Sequence, residues 1–243
     1  MDNAACPCLA GYYCADDGVC KNTADVLAPL LGSTYILETT ADQWVEPSGF
    51  AEAFDAADDF EDVYPVFAFE ILQVDPHAMT LSVLLGIIHG DGLQDKGLVT
   101  YEMTGTLEIV DENRISFRLD PVDVQTILFG PVTDEGTQDT NLAWYYGLAL
   151  SGTFMERGAR VDDGALVAVM NPDEYIELFY LTDFEDGEDF CSQMSTYTDI
   201  ECEACPNPPH DPLCLTFSAE HLSYPAVPAL TLVPISTFDA KYN

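Results

Sequence analysis

The sequence predicts a mainly β protein, built as an antiparallel up-and-down meander that closes into a barrel. Short apolar runs with alternating side chains recur along the chain, and compact polar turns separate most of them. A long hairpin at residues 143–170 is rich in aromatic residues, and its glycines allow the bending that closed sheets need. Closure would remove the exposed edges of such a meander. An open sandwich is the alternative arrangement.

The hairpin is the most clearly signalled element. Residues 143–154 predict its first strand, with Leu148 and Phe154 on one face at period two. Gly158 supplies a turn residue that can take a positive φ. Residues 160–170 predict the returning strand, with a bulge where Asp162-Asp163-Gly164 interrupts the apolar pattern.

One or two short helices and further strands complete the predicted fold. Asn171 as N-cap and Pro172 at the first helical position predict a helix over residues 172–181. Ser48 marks the start of a second, acidic helical segment. Alternating or continuous apolar runs predict strands at residues 34–40, 65–74, 79–89, 98–110, 115–119, 122–129, 215–222 and 227–233.

The eight cysteines lie in two groups of four, one at each end of the chain: Cys6, Cys8, Cys14 and Cys20, then Cys191, Cys202, Cys205 and Cys214. In a secreted protein this pattern predicts two disulfides in each group, with the connectivity left open. Zinc is the alternative, because two cysteines of the second group have zinc-knuckle spacing. We expect a stapled segment at residues 1–22 and a barrel domain at residues 33–243, which includes a Cys-rich loop at 191–214.

The charge balance restricts the partners. The chain has 43 acidic and 7 basic residues, a formal net charge of −36. Nucleic acids and anionic membrane surfaces are therefore not expected as partners. The charge favours either solubility in a salty medium or binding of divalent cations by carboxylates.

The start of the chain bears on its location. Met1 followed directly by a polar stretch is typical of a mature chain whose export signal was removed. We expect an exported protein, extracellular or associated with the outer membrane, in the periplasm or at the cell surface. A lipid anchor at Cys6 is less favoured than a disulfide, because it would leave an odd number of cysteines.

No catalytic constellation is recognisable. No serine lies in a nucleophile elbow and no glycine-rich phosphate loop carries a lysine, so we expect a non-enzymatic protein without a firmly predicted cofactor. Apart from the zinc alternative at the cysteines, calcium is the candidate cofactor. A dense acidic loop offers possible ligands, although Phe184 and Gln193 break the EF-hand pattern; the candidates are Asp183, Glu185, Asp186, Glu188 and Asp189.

Aromatic residues on strands are the better functional indication. Inside a barrel they either fill the core or line a cup for one small ligand. The candidate ligand-binding residues are Trp144, Tyr146, Phe154, Phe67, Phe69, Tyr101 and Phe117.

Four short motifs carry a resemblance. They are the Cys6-Pro7-Cys8 opening, Trp44-Val45-Glu46-Pro47, Ser151-Gly152-Thr153-Phe154 and Cys202-Glu203-Ala204-Cys205-Pro206. In this order they resemble uncharacterised secreted or lipoprotein-type proteins of myxobacteria and related bacteria. The resemblance implies a cell-envelope location and a lipocalin-like β-barrel, and it implies no activity and no catalytic residues.

The function expected from the sequence is therefore that of an exported, strongly acidic β-barrel protein of the cell envelope that binds a small apolar or aromatic ligand. The alternative is a structural or adhesive surface protein that self-associates, with divalent cations between its acidic faces.

Overall fold

The computed structural model describes residues 6–37, 43–46, 66–88, 99–132, 138–173, 176, 184–197, 202–204 and 213–227. Within these ranges the protein is mainly β, with short helices and antiparallel strand pairing. The predicted class is therefore confirmed. The predicted acidic helix after Ser48 and nearly all of the predicted strand at 227–233 lie outside the described residues.

Two helices and a short 3₁₀ segment are interspersed among the strands. Helix α1 spans Thr23–Leu27 and continues into the 3₁₀ turn Ala28–Leu30, and helix α2 spans Gly187–Tyr197. The strands are β1 (Tyr12–Cys14), β2 (Cys20–Asn22), β3 (Thr34–Leu37), β4 (Trp44–Glu46), β5 (Val66–Asp75), β6 (Thr80–Ile88), β7 (Val99–Ile109), β8 (Arg114–Leu119), β9 (Val122–Val132), β10 (Gln138–Met155), β11 (Arg160–Met170), β12 (Glu203–Ala204) and β13 (Leu213–Pro225).

A single 11-stranded sheet dominates the molecule. Its strand order is β12-β13-β11-β10-β8-β7-β6-β5-β3, with β4 beside β13 and β9 beside β10, whereas β1 and β2 form a separate hairpin. In the part of the chain that the structure describes, the ladder does not close into a barrel. One isolated bridge joins Tyr35 in β3 to Ala226, just after β13, and the Val227 N–H donates to the Thr34 carbonyl at 2.8 Å.

Strand β10 is long enough to pair with different neighbours along its length. Its last residues pair with β8, and its earlier residues pair with β9. The two partners are separated at Pro121, which has no N–H to donate to a ladder. Gly147 takes a φ of +60° where the β9 register shifts, so a glycine is placed where the strand bends.

The predicted hairpin is confirmed in detail. Strand β11 covers the predicted residues 160–170, and Gly158 in the turn has a φ of +88°. The predicted bulge is present, because the β10 and β11 registers shift near Asp162 and Asp163 has a φ of +51°. Asn171 also accepts from the Asp173 N–H at 2.8 Å, as the predicted N-cap would, but most of the helix predicted at 172–181 lies outside the described residues.

The N-terminal segment lies against one end of the sheet. Leu27 and Leu30 are buried in the main core, at 1% and 0% exposure. The hydroxyl of Thr23 donates to the Pro76 carbonyl in the β5–β6 turn at 3.0 Å. Lys21 forms an ion pair with Glu112 in the β7–β8 turn. The segment therefore covers the end where these hairpin turns lie.

Strand β4 and helix α2 are among the described elements that were not predicted. Strand β4 has only 3 residues, too few for alternation to be recognised. Helix α2 occupies part of a segment that was expected to be an acidic loop followed by a disulfide-stapled loop. No helix in the described ranges is long and apolar enough to span a bilayer.

Candidate functional site

Four of the seven predicted ligand-binding aromatics meet in the interior of the sheet. Phe67, Phe69, Phe117 and Phe154 are at most 3% exposed. Phe117 and Phe154 stack with ring centroids 4.4 Å apart. Phe69 lies 5.7 Å from Phe117 and 6.4 Å from Phe154. At these distances the rings contact one another, so these residues form a core cluster.

Three tyrosines that the sequence analysis did not select extend this cluster. Tyr35 lies 5.0 Å from Phe69, and Tyr145 lies 6.1 Å from Phe67. Tyr224 meets Phe69 edge-on at 6.3 Å. The alternation of Tyr35 with Leu37 in β3 is the signal that could have identified the first of them, because both are buried.

The hydroxyl of Tyr35 ties the core to the turn between β10 and β11. It donates to the Gly158 carbonyl at 2.8 Å. Burial raises the pKa of Tyr35 from 10.0 to about 12, and burial likewise raises the pKa of Tyr224. A Cβ on Gly158 would lie 2.7 Å from Leu30 Cδ2, so the turn packs directly against the 3₁₀ segment.

The other three predicted aromatics have different surroundings. Trp144 and Tyr146 stack in parallel, with ring centroids 6.1 Å apart and an interplanar angle of 5°. Tyr101 is half-buried and packs against the edge of the core. The seven candidates thus divide into a central cluster of four, a stacked pair and one peripheral residue.

The acidic residues proposed for calcium lie at the start of helix α2, apart from Asp183, which is outside the described residues. The Asp186 carboxylate accepts from the Asp189 N–H at 2.8 Å, as an N-cap does. Asp189 accepts from the Glu185 N–H at 3.3 Å and from the Gln193 amide at 2.9 Å. Helix capping therefore accounts for the positions of Asp186 and Asp189, and calcium binding by this loop stays a prediction.

Glu185 and Glu188 make no three-ligand cluster with other residues that the structure describes. Glu185 and Glu188 are exposed. Across the described ranges, the only set of three metal-type ligand atoms within 4.8 Å of one another is that of Cys6, Cys8 and Cys14.

Those sulfurs are oxidised. Disulfides join Cys6 to Cys14, Cys8 to Cys20 and Cys191 to Cys202. Cys214 is also disulfide-bonded. Cysteine ligates zinc as a thiolate, so the zinc alternative is wrong for these positions, and the predicted disulfides are confirmed for the cysteines that the structure describes.

The acidic surface is only sparsely neutralised. The ion pairs in the described ranges involve Lys21, Arg114 and Arg160, all partly exposed. Arg114 and the Asn113 N–H lower the pKa of Asp111, and the N–H groups of Ala78 and His77 lower that of Asp75. With 43 acids against 7 bases, most carboxylates have no basic residue to pair with.

Comparison with protein-family models, curated proteins and solved structures finds no match to this chain. Its function is therefore inferred from its own residues and contacts.

Proposed function

We propose that this chain is an exported, non-catalytic structural protein of the cell surface, whose acidic outer face joins copies to one another through divalent cations. The observation that carries the proposal is the contact among the interior aromatic rings. Because Phe69, Phe117 and Phe154 fill space with one another, the interior supplies stability. The outer face is then the surface that can contact other molecules.

We further propose that the sheet closes into the lipocalin-like barrel that the resemblance implies. The bridge between Tyr35 and Ala226 supports closure, because these residues belong to opposite ends of the strand order. The hydrogen bond from the Val227 N–H to the Thr34 carbonyl lies at the same seam. Closure there would leave few free edges for aggregation at the cell surface.

Export is supported by the disulfides. Disulfides persist in oxidising compartments and are rare in reducing ones. The resemblance to secreted proteins of myxobacteria agrees with this location. In the Cys6–Cys14 disulfide, the Cys6 sulfur is the atom that a lipid thioether would need, so we propose that the chain carries no lipid at Cys6.

Cation-mediated association follows from the charge. At −36, two copies repel each other unless the charge is screened or bridged. Calcium takes 6–8 oxygen ligands as a rule, and carboxylates from two surfaces can share them, whereas sodium only screens. Exposed carboxylates such as Glu102 and Glu108 on β7 are available for this purpose.

Sedimentation velocity of the oxidised protein tests the proposal. We expect association in millimolar calcium chloride, dissociation on addition of a chelator, and no association in sodium chloride of the same ionic strength. The double variant Glu102→Gln/Glu108→Gln should need more calcium, while Thr106→Ser, an exposed position on the same strand, should behave as the parent protein does. A monomer at every calcium concentration would refute the proposal.

Binding of a small apolar or aromatic ligand is the second candidate. The parallel stack of Trp144 on Tyr146 favours it. Tyr146 is only 8% exposed and Trp144 is half-buried, so the indole is the part of the stack that a ligand could reach. Titration with a neutral naphthylamine dye tests it. A saturable rise in dye fluorescence that is lost in Trp144→Leu would support this function, and no such rise with the parent protein would remove it.

A further inference from the structure

A groove on the outer face of the sheet is lined by hydroxyl, carboxylate, imidazole and apolar side chains. It has a volume of about 450 Å³ and lies across β8, β10, β11 and β13. Ser116 is directly opposite Thr153, and Thr153 is directly opposite Asp162. The Ser223 hydroxyl donates to Asp162 at 2.7 Å and extends this polar row to a fourth strand.

Bulges in two neighbouring strands border the row. Asp163 in β11 and His221 in β13 both line the groove, and their φ values are +51° and +57°. Left-handed backbone in residues other than glycine is strained and persists only where the surrounding structure enforces it. The registers of β11 and β13 shift between Val161 and Leu166, so the regular ladder is interrupted beside the groove.

Several polar side chains of the groove are uncommitted. Within the described part of the chain, the side chains of Ser116, Thr153, Asp163 and His221 make no hydrogen bond, although all four line the groove. Together they provide hydroxyl, carboxylate and imidazole groups that can donate or accept. Val110 and Met155 complete the lining with apolar contacts.

Unlike these four side chains, the Asp162 side chain is held by hydrogen bonds. Its carboxylate accepts from Ser223 at 2.7 Å and from Arg160 Nε at 2.9 Å. These bonds lower the pKa of Asp162, with the bond from Ser223 the larger cause. Asp162 therefore holds Ser223 in one orientation and contributes an ionised acceptor at the centre of the row.

The local charge indicates what kind of ligand fits. Arg114 and Arg160 are two of only seven basic residues in the chain, and both lie in or beside the groove. They pair with Asp111, Glu156 and Asp162. Together with Asp163, these groups carry two positive and four negative charges, so the groove is acidic and disfavours anionic ligands.

We propose that this groove binds a neutral, hydroxyl-rich ligand, namely a short saccharide. Sugar hydroxyls both donate and accept, and they match the uncommitted hydroxyls of Ser116 and Thr153, the carboxylate of Asp163 and the imidazole of His221. The apolar C–H groups of the sugar can pack against Val110 and Met155. The volume falls within the range of about 300–1,000 Å³ usual for small-molecule sites. This site is independent of the calcium-mediated association proposed above.

Saturation-transfer NMR with maltotriose, cellotriose and chitotriose, in calcium-free buffer, tests the inference. We expect saturable binding of at least one trisaccharide by the monomer. The variant Ser116→Ala/Thr153→Val keeps the size of both side chains nearly unchanged, and we expect it to weaken binding about tenfold or more through lost hydrogen bonds. Glu220→Gln is the matched control, because Glu220 is exposed on β13 and should leave binding unchanged.

Two results would overturn the inference: no binding of any of the three trisaccharides, or equal binding by the parent and by the folded double variant. If circular dichroism shows that the double variant does not fold, His221→Asn replaces it, because asparagine also tolerates left-handed backbone. The same reduction in affinity is then expected, and undiminished binding counts against the groove.

Discussion

At the scale of single residues, the junction of Tyr35 with Gly158 links three parts of the chain. Strand β3 supplies the hydroxyl, the β10–β11 turn supplies the carbonyl, and Leu30 of the 3₁₀ segment packs against Gly158. Tyr35 is fully buried and contacts Phe69 and Phe154. A substitution of Tyr35 should therefore disturb the packing of both the core and the N-terminal segment.

Replacing Tyr35 by phenylalanine should destabilise the protein by about 1–3 kcal/mol, because the buried Gly158 carbonyl loses its donor while the ring packing is kept. Urea unfolding followed by circular dichroism measures this. Tyr12→Phe is the control: Tyr12 is 46% exposed, and its change should stay within about 0.5 kcal/mol. Equal stability of Tyr35→Phe and the parent would contradict the assigned hydrogen bond.

Alkaline pH should destabilise the fold in a defined window. The pKa of Tyr35 is about 12 in the folded protein against 10.0 ordinarily, so the unfolded state loses its proton first. The stability linked to Tyr35 is therefore fully present below pH 10.0 and is lost as pH rises towards about 12. Tyr224, whose pKa is also raised, acts in the same direction.

Urea midpoints measured across this window should fall more steeply for the parent than for Tyr35→Phe. Identical slopes would show that Tyr35 ionises as freely in the folded protein as in the unfolded chain.

At the scale of elements, helix α2 shows how an acidic sequence can have a capping role. Asp186 accepts from the Asp189 N–H, and Asp189 holds Gln193 one turn later. The buried Phe190 and Cys191 anchor the helix to the core, and the disulfide to Cys202 secures its other connection. Helix capping thus explains the positions of two of these carboxylates, those of Asp186 and Asp189.

Asp186→Ala should destabilise the protein by about 1 kcal/mol through the lost cap, whereas Asp186→Asn should be close to the parent, because asparagine caps equally well. Thermal unfolding with and without calcium distinguishes capping from metal binding. Capping alone predicts the same ranking in both buffers. A calcium-dependent rise in Tm that both variants abolish would instead support a calcium site.

Much of the element order was predictable because it depends on local patterns. Alternation and turn residues identified the strands from β5 to β11, and Asp162-Asp163-Gly164 identified the bulge. Helix α2 was not predicted. The acidic residues at its start were interpreted as a loop, and its apolar residues do not form a clear stripe along one face. The capping hydrogen bond from the Asp189 N–H to the Asp186 carboxylate can be recognised only when the position of the helix is known.

The candidate site was predictable only in part. Alternation correctly directed Phe67, Phe69 and Phe117 to the interior. It could not decide between a packed core and a ligand cup, because both place the same residues on the same face. The distances between rings on different strands bear on this choice, and they depend on tertiary packing. The polar row of Ser116, Thr153 and Asp162 was likewise invisible, because it arises from the registers of separate strands.

At the scale of the whole molecule, charge and core oppose each other. A formal charge of −36 on 243 residues produces self-repulsion that disfavours the compact state. The interior aromatic cluster and the disulfides counter it. Stability should therefore depend strongly on ionic strength.

We expect Tm to rise steadily with sodium chloride between low salt and roughly 1 M, where the screening length falls to about 3 Å. Differential scanning calorimetry at neutral pH measures this. Sodium sulfate also stabilises proteins by strengthening the burial of apolar groups, so sodium chloride is the salt to use. If charge screening is the cause, Tm should rise markedly in sodium chloride alone. A Tm that does not respond to sodium chloride would mean that the surface carboxylates hardly influence folding.

The central claim is that the aromatic rings in the described part of the interior, those of Phe69, Phe117 and Phe154 among them, pack against one another as a core. Phe154→Ala tests it most directly, because it removes the ring that stacks on Phe117, and it should cost about 3–5 kcal/mol. The apolar cavity that results should bind benzene, which raises Tm by stabilising the folded state. In calorimetry with and without benzene, we predict a rise in Tm for Phe154→Ala and none for the parent protein. A comparable rise in the parent would contradict the claim, because it would show that the interior already holds a space for an apolar ligand.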